Sequence, residues 1–417
     1  MAVVLKLKCS VCDREYAPGE VEYTCPVCGD VGTLDVLYDY ETLRVELERD
    51  TPRSERSMWR YRDLLPLKPE SEVPPLRVGG TPMFHSPRLS ADLGVAEAWV
   101  KDDGQNPTGS LKDRASALIV ARALEAGIDT VSTASTGNAA AALSGIGASV
   151  QSGKMRIIIF VPASAPEAKI AQLLVYGAEV ILVDGTYDQA FDLCKDVCIE
   201  QGWYCRNTGM NPYTAEGKKT AAYEIAEQLG WNVPDVVAVG VGDGNIIAGV
   251  YKGFYDLYQL GWIQRIPRLI GVQALGSSPL VDAWQRGISA ADMQPIEVHT
   301  IADSISAGLP RDRARALRAV RQTNGAFVAV PDDEIIAAIP ALARLTGVFS
   351  EPSSAAVYAG LKRAVQLGLI RSDERVTLLL TGTGLKDIRR AQQSVSGGLR
   401  VSPNLDSVRR ALQLEVS

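Results

Sequence analysis

Lys112 stands in the run Gly-Gln-Asn-Pro-Thr-Gly-Ser-Leu-Lys-Asp-Arg (104–114), where Asn-Pro and Thr-Gly turn signals end directly against an apolar helical stretch. That order puts the lysine in the first turn of a helix, at the end of a loop. Taken alone it is an ordinary solvated residue, so its meaning depends on three other loops. In Val-Ser-Thr-Ala-Ser-Thr-Gly-Asn-Ala-Ala-Ala-Ala (131–142), Ser135, Thr136 and Asn138 bring hydroxyls and a carboxamide to a helix start. Free backbone N–H groups there favour anions, and helix capping accounts for only one of the three residues. The run Val-Val-Ala-Val-Gly-Val-Gly-Asp-Gly-Asn-Ile (236–246) follows an apolar strand, and Gly240, Gly242 and Gly244 permit the close backbone approach of a phosphate cradle. It is not a dinucleotide fingerprint, because its sixth position is Asn245, and it lacks the Lys-Ser/Thr of a nucleotide P-loop. In Leu-Leu-Leu-Thr-Gly-Thr-Gly-Leu-Lys-Asp (378–387), Thr381 sits at a strand tip, where its hydroxyl can address a ring nitrogen. An amine, a phosphate cradle, a polar anion loop and a tip hydroxyl together call for a ligand with an aldehyde, a phosphate and a ring.

A second chemistry lies near the N-terminus. Cys9 and Cys12 form one C-x-x-C pair, and Cys25 and Cys28 form another. Two such turns complete a closed tetrahedral site, for which zinc is the expected ion. Gly29 and Gly32 suit the sharp turn after the second pair. A site closed by four sulfurs leaves no position for substrate, so this ribbon is structural or mediates contacts. Cys194, Cys198 and Cys205 show no comparable spacing and read as core or surface residues.

These loops need a scaffold. Ala-Trp-Val-Lys, Arg-Ile-Ile-Ile-Phe-Val-Pro, Ala-Glu-Val-Ile-Leu-Val-Asp, Asp-Val-Val-Ala-Val-Gly, Pro-Arg-Leu-Ile-Gly-Val-Gln-Ala and Arg-Val-Thr-Leu-Leu-Leu alternate with Ala-rich segments. Apolar runs without polar alternation mark strands buried on both faces, hence an α/β fold with mostly parallel sheets. In such folds ligands sit beyond the carboxyl ends of strands, where each of these loops falls. The chain has 417 residues, 46% hydrophobic and 22% charged, which is enough for a large globular core. Its formal charge of −6, from 43 basic and 49 acidic residues, argues against a nucleic-acid binder. No apolar run is long enough to span a membrane and the N-terminus does not read as a signal peptide, so the expected location is cytoplasmic.

The run Asn-Pro-Thr-Gly-Ser-Leu-Lys-Asp-Arg-Ala closely resembles the lysine motif of the threonine synthase family, within the fold type II pyridoxal-phosphate enzymes, which are tryptophan synthase β-like. The resemblance extends along the chain through Leu-Asp-Val-Leu-Tyr-Asp-Tyr, Gly-Gly-Thr-Pro, Ser-Thr-Gly-Asn, Asn-Pro-Tyr-Thr-Ala-Glu-Gly-Lys-Lys-Thr, the glycine loop and Thr-Gly-Thr-Gly-Leu-Lys-Asp. It implies pyridoxal 5'-phosphate held as a Schiff base by Lys112. Asn138 would then bond the cofactor's 3' oxygen, Gly242, Asp243, Gly244 and Asn245 would hold its phosphate, and Thr381 would face the pyridine nitrogen. The implied reaction turns O-phospho-L-homoserine and water into L-threonine and phosphate, with Lys112 as general base. The implied assembly is a homodimer of chains, each with two open parallel-sheet lobes and the cofactor between them. The expected division is a zinc ribbon over 1–40, a connecting arm over 41–80, a catalytic core over 81–400 with its small lobe at about 115–205, and a C-terminal amphipathic helix over 401–417 that uses Val408, Leu412 and Leu414.

Three positions depart from the family pattern. Ala139 stands where many members have threonine, Thr214 where many have an arginine after Asn-Pro-Tyr, and Asp243 where many have asparagine. Loss of the arginine removes a bidentate phosphate clamp. A carboxylate beside a phosphate must turn away, and Asp243 is expected to cap the following helix. Ser135, Thr136, Asn207 and Thr208 remain as donors to a substrate anion, with Lys218 and Lys219 as replacements for the lost charge. The alternative is a related lyase, dehydratase or β-replacement enzyme acting on serine, threonine or phosphoserine. A zinc-ribbon binding protein with an idle cofactor domain is the reading from a different class, and the retained Lys112 speaks against it.

Overall fold

The computed structural model describes residues 4–51, 54–151, 155–165 and 167–413. Two sheets form the body. The larger has the order Ala326–Val330, Arg268–Ala274, Val236–Gly240, Arg375–Leu380, Glu97–Asp102, Met83–His85; only the last pairing is antiparallel. The smaller, wholly parallel, runs Glu179–Val183, Arg156–Pro162, Thr130–Ala134, Tyr204–Cys205. The central strands Val236–Gly240 and Thr130–Ala134 are buried at every residue, as unbroken apolar or small-residue runs require.

One apolar run departs from that rule. Glu179–Val183 is the outer strand of its sheet, and Ile181 and Leu182 are 41% and 55% exposed rather than buried on both faces. The parallel strands Ala326–Val330 and Tyr204–Cys205 complete the sheets although neither stands out in the sequence.

The N-terminal segment is a three-stranded antiparallel unit, Glu15–Tyr16, Val4–Cys9 and Leu34–Tyr38. The stretch after it is partly helical, with Tyr40–Glu46 and the 3-10 turns of Met58–Leu64, whose Met58, Trp59, Tyr61 and Leu64 are buried. Near the C-terminus the helix Leu405–Leu412 buries none of its residues, and Leu414 lies outside the described residues.

The ribbon is fastened to the body by buried polar contacts. The Tyr38 hydroxyl donates to Glu216, and Lys219 reaches Tyr38, Glu216 and Asp256. The Arg315 guanidinium donates to the Leu34 carbonyl at 2.9 Å. Among the described residues no helix is long and apolar enough to cross a membrane.

Candidate active site

The residues around Lys112 are locked in place. Lys112 opens the helix Lys112–Glu125, and the N–H of the preceding Leu111 donates to the Thr381 carbonyl at 2.8 Å. The Asp113 carboxylate accepts from the Thr108 N–H at 2.7 Å and from the Thr108 hydroxyl, closing the turn. Arg114, fully buried, pairs with Asp103 and Glu224, each at 2.6 Å. The Asn-Pro-Thr-Gly turn therefore presses against the lysine because it builds a rigid socket. Of Lys-Asp-Arg, only the lysine is left facing a cleft of about 650 Å³ between the sheets. Burial lowers the Lys112 pKa from its ordinary value; Arg206 adds to the shift while Glu351 and Asp243 oppose it. A larger share of neutral, nucleophilic amine follows.

The same cleft is lined by Ser135, Thr136, Asn138, Thr208, Gly242, Asp243, Gly244, Asn245 and Thr381. Each comes from a strand end or a helix start, as the parallel sheets dictate. Asn138 and Asn245 open the helices Asn138–Ala148 and Asn245–Gln259, so backbone N–H groups of both point at the cleft region. Two glycines are needed in the loop before Asn245: Gly244 has φ of +89°, and a Cβ on Gly242 would lie 2.9 Å from the Ile305 Cα. Thr381 sits beyond the strand Arg375–Leu380, with its N–H bonded to the Ser354 hydroxyl at 2.9 Å.

Several residues go elsewhere than the sequence suggests. Asp243 does not cap the following helix, which has no side-chain cap; its carboxylate accepts from the Arg311 N–H at 3.3 Å. Burial raises the Asp243 pKa, with Arg311, Lys112 and Lys218 opposing. Asn207 does not line the cleft. Its Oδ1 accepts from the Ala134 N–H at 2.8 Å and the Thr133 hydroxyl at 3.0 Å, which makes it a strut behind the wall. Lys219 is taken up by the ribbon contacts, whereas Lys218 reaches the cleft and donates to Asn245 beside the glycine loop. Thr214 is buried, with its hydroxyl on the Asn211 carbonyl at 2.8 Å, while Ala139 lines the cleft.

Glu351 and Arg206 line the cleft although the sequence analysis passes over both. The Glu351 carboxylate accepts from the Asn138 amide at 3.0 and 3.1 Å, the Ser304 hydroxyl at 3.1 Å and the Ser353 hydroxyl at 2.7 Å. Its only sequence signal is a position one residue before a proline that starts the helix Pro352–Gln366.

Cys9, Cys12, Cys25 and Cys28 bring their sulfurs within 4.8 Å of one another, a donor set that fits one tetrahedral ion. Cys194, Cys198 and Cys205 also converge within 4.8 Å, fully buried, from one helix face and a strand.

Parallel sheets, a half-buried lysine at a helix start and a glycine loop at another are the features a pyridoxal-phosphate dependent enzyme needs. The family of that description matches residues 75–382. The threonine synthase of Methanocaldococcus jannaschii is 39% identical over 408 residues, covering 97% of this chain and 99% of that protein. The threonine synthase of Methanosarcina acetivorans is likewise 39% identical, over 97% of this chain and 98% of its own length. The chain belongs to the threonine synthase family. Among solved structures, the processed threonine deaminase isoform 2 from Solanum lycopersicum shares the fold with a TM-score of 0.63 and 23% identity, over 76% of this chain and 87% of that one. Maize serine racemase does so with a TM-score of 0.60 and 22% identity, over 73% and 88%.

Proposed function

We propose that the protein converts O-phospho-L-homoserine and water to L-threonine and phosphate. The observation that carries this reading is the convergence of Lys112, the Gly242–Asn245 loop and Lys218 on one cleft, in a chain that matches threonine synthases over nearly its full length. Bound there, pyridoxal phosphate supplies a ring that stabilises negative charge at the substrate carbons. Lys112 would hold the cofactor and would move protons at the substrate's α- and β-carbons, a role its lowered pKa suits. Asn138, whose amide donates to Glu351 here, would orient the ring through its 3' oxygen. Thr381 offers a neutral hydroxyl to the ring nitrogen, which leaves that nitrogen largely unprotonated. The glycine loop, the N–H groups at Asn245 and the Lys218 side chain would take the cofactor's phosphate, whose charge favours protonation of that lysine. Ser135, Thr136 and Thr208 are the donors for substrate.

The test is to incubate the holoenzyme with O-phospho-L-homoserine and measure threonine beside inorganic phosphate. Equal release of both is expected. Phosphate without threonine, or keto acid formed from serine or threonine instead, points to the related lyase that Ala139 and Thr214 would suit.

The same proposal includes a structural zinc on Cys9, Cys12, Cys25 and Cys28, supported by their convergence. It includes a homodimer, supported by the exposed Leu174, Val175, Ile181 and Leu182 around an outer strand, and checked by analytical ultracentrifugation. A cytoplasmic setting accords with seven free cysteines. The division into ribbon, arm, two-lobed core and terminal helix is part of this reading too.

A further inference from the structure

Arg206 follows the strand Tyr204–Cys205, is 0% exposed, and lines the small-sheet side of the cleft. Two other buried arginines show what such a residue ordinarily needs. Arg114 meets Asp103 and Glu224, and Arg315 meets Asp312. Among the described residues Arg206 is in contact with no carboxylate. Its Nε donates to the Ser116 hydroxyl at 3.3 Å, its Nη1 to the Thr208 hydroxyl at 2.7 Å, and its Nη2 has no partner. Burial lowers its pKa to about 10, so at neutral pH it is still a cation.

Asp113 and Asp243 act on its charge only from a distance, and the cost of burying a guanidinium without a paired carboxylate is offset when a ligand brings the counter-ion. The neighbours point the same way. Thr208 accepts from Arg206, so its own proton is free to be donated into the cleft it lines. Ser135 and Thr136 stand on the same wall, just before the helix start at Asn138. The basic side chain beside the glycine loop is a different one, Lys218; it is engaged with Asn245, and burial lowers its pKa well below the ordinary lysine value. The cleft thus holds two basic side chains, Arg206 at the small sheet and Lys218 beside the glycine loop, where the cofactor has a single phosphate.

We propose that Arg206, with Thr208, forms the subsite for the terminal phosphate of the substrate, in place of the arginine that Thr214 replaces. This rests on the reading of the substrate as O-phospho-L-homoserine. It makes the enzyme selective for an amino acid carrying an anionic tail, which brings Arg206 the counter-ion it lacks in contact.

The experiment uses holoenzyme and four forms: wild type, Arg206→Gln, Arg206→Lys and Thr208→Val. Inorganic phosphate is titrated into each by calorimetry, and KM and kcat for O-phospho-L-homoserine are measured beside it. Arg206→Gln should keep the cofactor's visible absorbance, weaken phosphate binding and raise KM about a hundredfold, the scale of a lost buried charge contact, with a smaller change in kcat. Arg206→Lys should recover part of both, and Thr208→Val should weaken both about tenfold, as one lost hydrogen bond to an anion does. Phosphate binding and KM unchanged in Arg206→Gln would overturn the assignment. If that variant does not fold, unchanged phosphate binding in Thr208→Val overturns it equally. A wild type that binds phosphate but makes no threonine defeats the proposed reaction instead, and the calorimetry still decides whether Arg206 holds the anion.

Discussion

The backbone N–H of Cys205 donates to the hydroxyl oxygen of Tyr23 at 2.9 Å. Tyr23 belongs to the ribbon, and Cys205 immediately precedes Arg206. The ribbon therefore supports the strand that delivers a cation to the cleft. Tyr23→Phe leaves a buried N–H without a partner, which costs about 1–3 kcal/mol. The expected outcome is a lower Tm and a higher KM for O-phospho-L-homoserine, with the cofactor still bound. A Tm equal to that of the wild type would show that water or a shifted strand takes over the hydrogen bond.

Removal of metal from the ribbon should have the larger effect. It loosens Tyr23 together with Tyr38, which bonds Glu216 and Lys219 next to Lys218, and the Leu34 carbonyl that receives Arg315. A chelator is expected to release about one zinc per chain, as a closed four-thiolate site predicts. Melting temperature and cofactor retention should fall together, which calorimetry and visible absorbance can follow. Full retention of both in metal-free protein would reduce the ribbon to an ornament of the fold.

Glu224 anchors the helix that carries Lys112. Its carboxylate takes Arg114 at 2.6 and 2.8 Å, Lys101 at 2.6 Å and the Gly80 N–H at 2.8 Å. Burial alone would raise its pKa, but Arg114 and Lys101 hold it well below the usual carboxylate value of 4.5. With a depressed native value, the unfolded chain binds more protons below about pH 4.5, so this stabilisation is complete above that pH and is lost as the pH falls further. Glu224→Gln keeps the shape but leaves Arg114 with one carboxylate partner, Asp103, and Lys101 with the neutral oxygens of Thr81 and Gln228. We expect a loss of about 3–5 kcal/mol at neutral pH, as for any broken buried pair. The difference from wild type should shrink in acid, as urea unfolding at several pH values would reveal.

Lys112→Ala tests the premise shared by every functional reading. The variant should fold, since Asp113 and Arg114 keep their partners, yet lose turnover and the visible absorbance of a covalently held cofactor. Normal far-ultraviolet dichroism with retained turnover would remove Lys112 from the chemistry.

How much of this is legible in the sequence depends on the range of the contacts. Lys112, Asn138, the Gly242–Asn245 loop and Thr381 are readable because each sits where local turn, strand and helix signals change over, and a parallel sheet gathers such points at one edge. Arg206 and Lys218 carry no local mark that separates them from Arg114 or Lys219. Which cation keeps a carboxylate and which faces the cleft is settled only by packing between elements far apart in the chain. The cysteine triad shows the same limit. Cys194 and Cys198 share a helix face by their i, i+4 spacing, but only the sheet brings Cys205 to them. The exposed strand Glu179–Val183 fails in the other direction, since an apolar run does not say whether a further strand lies beyond it.

Glu351 opposes the burial that lowers the pKa of Lys112. The lysine's pKa is lowered first by burial, and the Glu351 charge is the largest influence holding it up. In the apoenzyme the unfolded chain keeps this proton up to the ordinary lysine value of 10.5, while the native chain releases it at lower pH. Apoenzyme stability attributable to Lys112 therefore rises with pH across that window. Cofactor capture needs the neutral amine, so its rate should rise with pH and level off below 10.5. Glu351→Gln removes the stabilising charge but retains an oxygen for Asn138, Ser304 and Ser353. The inflection in the rate of cofactor uptake, followed by stopped-flow absorbance, should move to lower pH. Movement to higher pH would mean that the carboxylate acts on Lys112 through the Asn138 contact rather than through its charge.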